Sequence, residues 1–212
     1  MKDPASPIYG CDAFWNTFWN LNQLWALATP DIMNKWVESL LEYYRVGGWL
    51  PNGPPGVEYC DIMGAQHEIP LMVSAYQKGI RNYDVDKAYE AVKKTLTTQG
   101  TALSSGGIVG NRHLDVYLKY GFVPYGEKSH HNVFGTTYEG PTSNTLEYAF
   151  DDWNAAQFAK ALGYEEDYDY FTRRAYNYKN VFDSETKYVR PKYSDGTWMP
   201  DFEPINLSLI HI

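Results

Sequence analysis

Cysteine is scarce in this sequence, which has only Cys11 and Cys60 among its 212 residues. Two cysteines are too few for a disulfide framework, and their separation does not match the paired spacing of a zinc site. The fold must therefore depend on a hydrophobic core. The hydrophobic content of 44% is sufficient for one domain of this length.

Long apolar runs and basic clusters are also absent. No run of about 18 apolar residues occurs, so we expect no membrane-spanning helix. The first ten residues, MKDPASPIYG, lack the apolar centre of a secretion signal. Lys and Arg number 18 against 26 Asp and Glu, which gives a net charge of −8 and argues against a nucleic-acid partner.

Aromatic residues, in contrast, are abundant. The chain has 19 Tyr, 9 Phe and 7 Trp, which together make 17% of its residues. Aromatic rings pack well in cores, and their flat apolar faces also stack on the apolar faces of ligands such as sugars. The composition is therefore typical of a globular protein that binds carbohydrate.

Helical periodicity alternates between two kinds of segment along the chain. Apolar segments with embedded polar groups predict inner helices, and charged amphipathic segments predict outer helices. Inner helices are expected at residues 11–28, 61–78 and 144–163, and outer helices at 30–47, 84–96 and 165–181. Asp84 and Asn144 are the expected N-caps of two of them, and Pro70 is expected to kink another.

The connections between these helices also alternate in length. Links from an inner to an outer helix are short, whereas those from an outer to an inner helix are long. The longest, at residues 97–143, carries a short helical piece near 114–120, and a hairpin-like segment follows residue 181. All long loops must then lie on one face, together with Asp12, Glu58, Asp61 and Glu147. The chain is therefore predicted to be all-α, forming three hairpins, or about half of an (α/α)6 toroid.

The inner segment at residues 144–163 contains acids among apolar residues. Glu147 and Asp151 are four residues apart and share one helix face, with Asp152 beside them. Buried acids require partners. One interpretation makes Glu147 a capping residue and gives the aspartates arginine or loop-amide partners. The other has the first turns of this helix project carboxylates into a ligand cleft.

Several strings in the chain resemble the α-mannosidases of glycoside hydrolase family 92. They occur in the order of the family, cover residues 9–204, and read FWNTFWNLNQLWAL, GGWLPNGPPGVEY, HEIPLMVSAYQKGIRNYDVDKAYEAV, SNTLEYAFDDWNAAQFAKALG and DYFTRRAYNYKNVFD. The resemblance implies a periplasmic or secreted, calcium-dependent, exo-acting, inverting hydrolase that removes terminal mannose from glycans.

The resemblance also implies a division of the chain. Residues 1–204 correspond to part of the (α/α)6 catalytic domain, which in the family follows an N-terminal β-sandwich. The last residues, 205–212, depart from the family pattern and are interpreted as a truncated or non-native tail. The β-sandwich and the second half of the toroid are therefore the expected partners of this chain.

Candidate site residues follow partly from the resemblance. It places Trp15 and Asn16 at the sugar pocket, where Asn16 replaces the Asp of many members and removes a charge. Together with the acidic helix, it gives Trp15, Asn16, Glu58, Glu147 and Asp151 as candidate substrate-binding residues. Further candidates in or behind the pocket are Asp12, Tyr59, His67, Glu68 and Asp152. For His67 a satisfied place in the core is the alternative, since histidines on apolar helices are commonly of that kind.

No catalytic or metal-binding residue is assigned within the chain. The resemblance places the general acid and base in motifs resembling EGNAWQY and GN(D/E)DxGQ, with a further acidic site in NEPSHH. None of these strings is found here. The chain alone is therefore predicted to be inactive, and calcium is expected only in the full-length protein. The alternatives are a non-catalytic carbohydrate-binding fragment, or another (α/α)6 glycosidase or glycoside phosphorylase.

Overall fold

The computed structural model describes residues 8–11, 14–54, 59, 65–103, 108–127 and 140–203. The α-helices are α1 (Leu21–Ala28), α2 (Pro30–Gly47), α3 (Glu68–Gln77), α4 (Val85–Thr97), α5 (Leu114–Tyr120), α6 (Pro141–Leu162) and α7 (Glu165–Ala175). Two 3-10 helices span Thr17–Trp19 and Tyr176–Val181, and the strands β1 (Thr101–Ala102) and β2 (Ile108–Val109) form an antiparallel pair. The predicted all-α class is confirmed. Within the described residues, no helix is both long and apolar enough to cross a bilayer.

The second and fourth predicted helices and the short helix near 114–120 begin and end close to the expected positions. Pro30 is the first residue of α2, where a missing N–H carries no penalty, and Gly48 closes the helix with φ 78°. The Asp84 carboxylate caps α4 by accepting the backbone N–H of Lys87 at 2.9 Å. Local capping residues, proline and glycine were therefore sufficient to predict where these helices begin and end.

Two inner helices start later than predicted. The first was expected from residue 11, but regular α-helix begins only at Leu21, after a turn in which Asn16 has a left-handed φ of 73°. The second begins at Glu68, so its residues 65–67 are not helical, and residues 61–64 lie outside the described part. Pro70 therefore lies in the first turn of α3, where it displaces no helical hydrogen bond, and the predicted kink is wrong.

The third inner helix starts earlier than predicted. Gly140 occupies the N-cap and Pro141 the first helical position of α6, so Asn144 is not the cap. The Asn144 backbone N–H instead donates to the Gly140 carbonyl at 2.8 Å, inside the helix. The Gly-Pro pair is the stronger start signal because proline already has the helical φ. Gly163 ends the helix with φ 83°, as predicted.

The helices form an inner row, α1, α3 and α6, and an outer row, α2, α4 and α7. In the inner row, α3 packs between α1 and α6, and each of α2 and α4 also packs on the inner helix that follows it. The main core lies between the rows and is centred on Met33, Leu40, Ile69, Met72, Val92 and Phe158. The α1–α2 and α6–α7 pairs pack directly as the predicted inner–outer hairpins, and α4 packs on α2 and α6.

Burial follows the inner–outer prediction for α3 and α6 but not for α1. Seven residues of α3 and twelve of α6 are buried, whereas Asn22 alone is buried in α1. Leu24 in α1 is 58% exposed, and Trp153 in α6 is 52% exposed. The contacts of α1 are with α2, where Trp25 stacks on Trp36 at 5.8 Å, with α3 and with the Thr17–Trp19 helix, and they leave Leu24 and Leu27 exposed.

The segment after α7 is hairpin-like, as predicted, although it contains no regular strand within residues 182–203. Asp195 accepts the Thr197 N–H at 2.9 Å, and Gly196 takes a φ of 89° at the turn. Arg190 pairs with Asp183 at 2.9 Å across the base of this segment. The ion pair and the turn together stabilise the segment at residues 182–203.

We predict that the 212-residue chain self-associates when produced alone. Leu24 and Leu27 lie three residues apart on one helix face, and Leu27 is 83% exposed. Contiguous exposed apolar surface favours association. Size-exclusion chromatography with light scattering should show oligomers for the parent chain, and a shift toward monomer for a Leu24→Lys, Leu27→Lys variant.

The control is Val46→Lys, which changes an equally prominent apolar residue at the end of α2. It should leave the oligomer unchanged. A parent chain that is monomeric and melts cooperatively would contradict the prediction.

Candidate functional site

Aromatic rings from the first inner segment and α6 meet at the histidine that precedes α3. Phe18, in the Thr17–Trp19 helix, packs its ring 5.0 Å from that of His67 and 4.7 Å from that of Phe150. His67 and Phe150 lie 6.1 Å apart. The starts of neighbouring inner segments therefore converge, as the alternation of loop lengths predicted.

His67 contacts a carboxylate of α6 at this point. Its Nε2 lies 2.7 Å from Oε2 of Glu147, and the imidazole is only 3% exposed while the Glu147 side chain is 37% exposed. Burial lowers the pKa of His67, but the hydrogen bond to Glu147 and the nearby charge of Asp151 together raise it above its ordinary value. Glu147 lies in the helix interior, so the capping interpretation is wrong for this residue.

Asp151, one turn beyond Glu147, is completely buried. Its Oδ2 accepts the backbone N–H of Gln66 at 2.9 Å, which ties the start of α3 to α6. Burial raises the pKa of Asp151 well above its usual range, against the lowering effects of His67 and Gln66. Glu68, also completely buried, raises it further. These contacts of Asp151 match the interpretation in which the aspartate binds a backbone amide of a loop, rather than the one in which it projects into a ligand cleft.

Asp152 faces a different partner on the other side of α6. Its carboxylate lies 2.8 Å from Arg174 Nη2 and 3.1 Å from Arg174 Nε, and the Tyr117 hydroxyl donates to it at 2.9 Å. Burial raises the pKa of Asp152 to about 7, although Arg174 and Tyr117 lower it. The arginine partner that the sequence interpretation allowed is therefore present, and this acid lies in the core.

The other candidate site residues lie away from the contacts between α3 and α6 or outside the described part of the chain. Trp15 is 39% exposed and, with Asn16, forms the turn that leads to Phe18. Tyr59 lies against the end of α2, where its hydroxyl is 2.9 Å from the carbonyl oxygens of Tyr43 and Trp49, and burial raises its pKa to about 12. Asp12 and Glu58 lie outside the described residues.

Sequence reasoning missed several contributors to this site. Phe18 and Phe150 enclose His67, and the Gln66 backbone binds Asp151. Phe150 lies three residues after Glu147, so helical spacing placed both near one face, but their partners in other segments could not be identified. Arg174 could have been found as an arginine inside a predicted amphipathic helix.

A groove continues from this point between α1, α3 and α6. Its volume is about 510 Å³. Its walls combine aromatic rings with amide groups, notably those of Phe18, Asn22, Phe150, Trp153, Asn154 and Gln157. Asn22 is 1% exposed, and neither atom of its side-chain amide has a hydrogen-bond partner among the described residues. The groove therefore has the mixed lining that carbohydrate surfaces require.

Calcium is the cofactor implied by the resemblance, and it requires six to eight oxygen ligands. In the described part of the chain, no three His, Cys, Asp or Glu side chains gather in a way that could hold a metal ion. The described residues therefore do not fit a calcium site.

A family model described as the glycosyl hydrolase family 92 catalytic domain matches residues 1–208. The chain belongs to this family. Its helical hairpins are accordingly about half of the (α/α)6 toroid that the resemblance implied.

Individual relatives agree with this membership. An uncharacterized secreted glycosidase of Arthroderma benhamiae is 27% identical over 88% of this chain. Among solved structures, a family GH92 α-mannosidase from Bacteroides thetaiotaomicron is 30% identical over 95% of the chain, with a TM-score of 0.79. A family GH92 inverting mannosidase from the same organism is 28% identical over 90%, with a TM-score of 0.76. The chain spans about a quarter of each relative, at 27%, 25% and 24% of their lengths.

We predict that Arg174→Met destabilises the family 92 chain by about 3–5 kcal/mol, because it leaves the Asp152 carboxylate unpaired in the core. The loss should depend on pH. Arg174 lowers the pKa of the buried Asp152, which is about 7 in the parent chain and should be higher in the variant. The parent therefore gains from the ionised pair only above a pH of about 7, whereas below it the carboxyl is protonated in both folded chains. Urea unfolding should therefore show the larger loss above that pH and a smaller one in mild acid.

Arg173→Met is the matched control, since Arg173 is exposed beside Arg174 on α7. It should change the free energy of unfolding little at either pH. A loss for Arg174→Met that is the same in acid and in base would contradict the assignment of Asp152 as the group left uncompensated.

Proposed function

We propose that this chain is part of the catalytic domain of an exo-acting, inverting α-mannosidase and forms one wall of its mannose pocket. The observation that carries this proposal is the His67–Glu147 pair, which presents a carboxylate at the point where the inner segments converge. Membership of family 92 and the likeness to structures named as an inverting mannosidase and an α-mannosidase support it. The secreted relative supports a location outside the cytoplasm.

The wall offers the two kinds of contact that a sugar needs. The half-exposed ring of Trp15 supplies a stacking surface, and Asn16 and Glu147 supply polar groups for hydroxyls. Asp151 contributes indirectly, because its fully buried carboxylate holds the Gln66 backbone beside His67. Asp12 and Glu58, predicted at the same face, would extend this wall.

Inverting hydrolysis requires more than recognition. It uses a carboxylic acid and a carboxylate base on opposite sides of the anomeric carbon, about 6.5–9.5 Å apart. In this chain Glu147 is paired with His67, while Asp151 and Asp152 are enclosed by protein. We therefore assign the acid and the base to parts of the enzyme other than these helices. Calcium is proposed for the larger protein, held by residues outside the described part.

The alternative function, a carbohydrate-binding fragment without hydrolytic activity, is supported by the same Trp15, Asn16 and Glu147 side chains. A glucosidase or phosphorylase would also use an (α/α)6 toroid. The names of the similar structures favour mannoside hydrolysis over both. Activity of the larger protein decides between these alternatives.

We predict that residues 1–212 alone do not hydrolyse an aryl α-mannoside, with or without calcium. The reason is that pocket lining without an opposed acid and base lacks the proton transfers that contribute about 10²- to 10⁴-fold each. Release of the aryl group, measured with and without a chelator, checks this. Turnover that Glu147→Gln or Asp151→Asn abolishes would move the catalytic carboxylates into α6.

A protein that joins these residues to the rest of a family 92 domain should hydrolyse the same substrate in a chelator-sensitive manner. Trp15→Ala should lower its kcat/KM, because the stacking surface is lost. Tyr178→Ala, which removes another exposed aromatic ring far along the chain, is the matched control and should have little effect. Equal losses for both variants would contradict the pocket assignment of Trp15.

A further inference from the structure

His67 lies in an environment that defines what its ring can do. The imidazole is 3% exposed and packed against Phe18 and Phe150, so water has little access to it. An ionised carboxylate only accepts hydrogen bonds, so the 2.7 Å contact to Glu147 requires Nε2 to carry the proton. The geometry therefore selects both the tautomer and the direction of this hydrogen bond.

Among the described residues, the charged groups that act on His67 are acidic. Glu147 and Asp151 of α6 both raise its pKa, while the Phe18 ring of the Thr17–Trp19 segment packs against the imidazole. Negative neighbours favour the imidazolium form over the neutral ring. A cation in this position strengthens the hydrogen bond to Glu147, since charge-assisted bonds are shorter and stronger than neutral ones.

Glu147 differs from the other acids of α6 in its exposure. Its side chain is 37% exposed, and His67 binds only Oε2. Among the described residues no hydrogen bond to Oε1 is found. A free glutamate rotates about its side-chain torsions, and fixing such a residue costs entropy that a ligand must otherwise supply. Here His67 fixes it in advance.

We propose that His67 is a positioning residue, which donates Nε2–H to Oε2 of Glu147 and thereby fixes Oε1 as an acceptor for a sugar hydroxyl. The identity of the ligand rests on the proposed function. The holding of Glu147 by His67 does not, because it depends only on contacts within this chain. The two parts can therefore be tested separately.

The first test is an NMR titration of the 212-residue chain labelled at histidine, which gives five histidines to assign. His67 should titrate above its ordinary pKa of about 6.5, with Nε2 protonated throughout. Glu147→Gln, an isosteric change at a partly exposed site, should lower the His67 pKa, because the charged hydrogen-bond partner that raises it is lost. Glu166→Gln, which removes an exposed carboxylate from α7, should leave it unchanged. A His67 pKa that does not respond to Glu147→Gln overturns the proposal.

The second test measures the binding of methyl α-mannoside by ligand-observed NMR. His67→Leu should weaken binding about tenfold, the loss expected when one charged hydrogen bond is no longer oriented. His67→Gln, whose amide can still donate to Glu147, should recover part of the loss. Far-UV circular dichroism confirms that each variant is folded.

The outcomes distinguish the two proposals. Binding that is equal in the parent chain and in folded His67→Leu overturns the positioning role. A parent chain that binds no mannoside, with a titration that links His67 to Glu147, overturns the sugar pocket and leaves the holding of Glu147 supported.

Discussion

Two adjacent carboxyl groups, those of Asp151 and Asp152, are completely buried inside α6, and each must keep its partner. Consecutive helical residues point about 100° apart, so the two acids face different neighbours. Asp151 binds the Gln66 backbone before α3, and Asp152 binds Arg174 of α7. Removing either partner would leave an uncompensated charge or an unsatisfied acceptor in the core, so α6 is fixed from both sides.

The candidate site depends on this constraint. Once α6 is fixed, Glu147 lies one turn before Asp151 on the same face and meets His67, whose backbone neighbour Gln66 is held by Asp151. Phe18 then covers the imidazole from the first inner segment. The proposed pocket wall is thus assembled from segments that core contacts hold in place, and among the described candidates Trp15, Asn16 and Glu147 remain exposed enough to meet a ligand.

Family 92 membership gives this wall its proposed role, and its chemistry agrees with that role. A hydrolase that recognises a sugar through one half of a toroid and cleaves it with groups from elsewhere needs rigid recognition residues, since misplacement weakens transition-state binding. Buried acids that seem catalytic in sequence can therefore be structural. In this chain the buried pair holds the helix, and the partly exposed Glu147 is the carboxylate proposed to meet a ligand.

Sequence patterns were sufficient to predict the all-α class, the inner–outer alternation, the limits of α2, α4 and α5, and the shared face of Glu147 and Asp151. These depend on local periodicity, capping and turn chemistry, which act over a few residues. The folded structure was needed to identify the partners of the acids, because Gln66 lies 85 residues from Asp151 and Arg174 lies 22 residues from Asp152 along the chain. The structure also showed that α1 covers only part of the apolar segment at residues 11–28 and that Trp153 is exposed. Periodicity shows that a helix has an apolar face, whereas burial depends on which neighbouring elements cover that face.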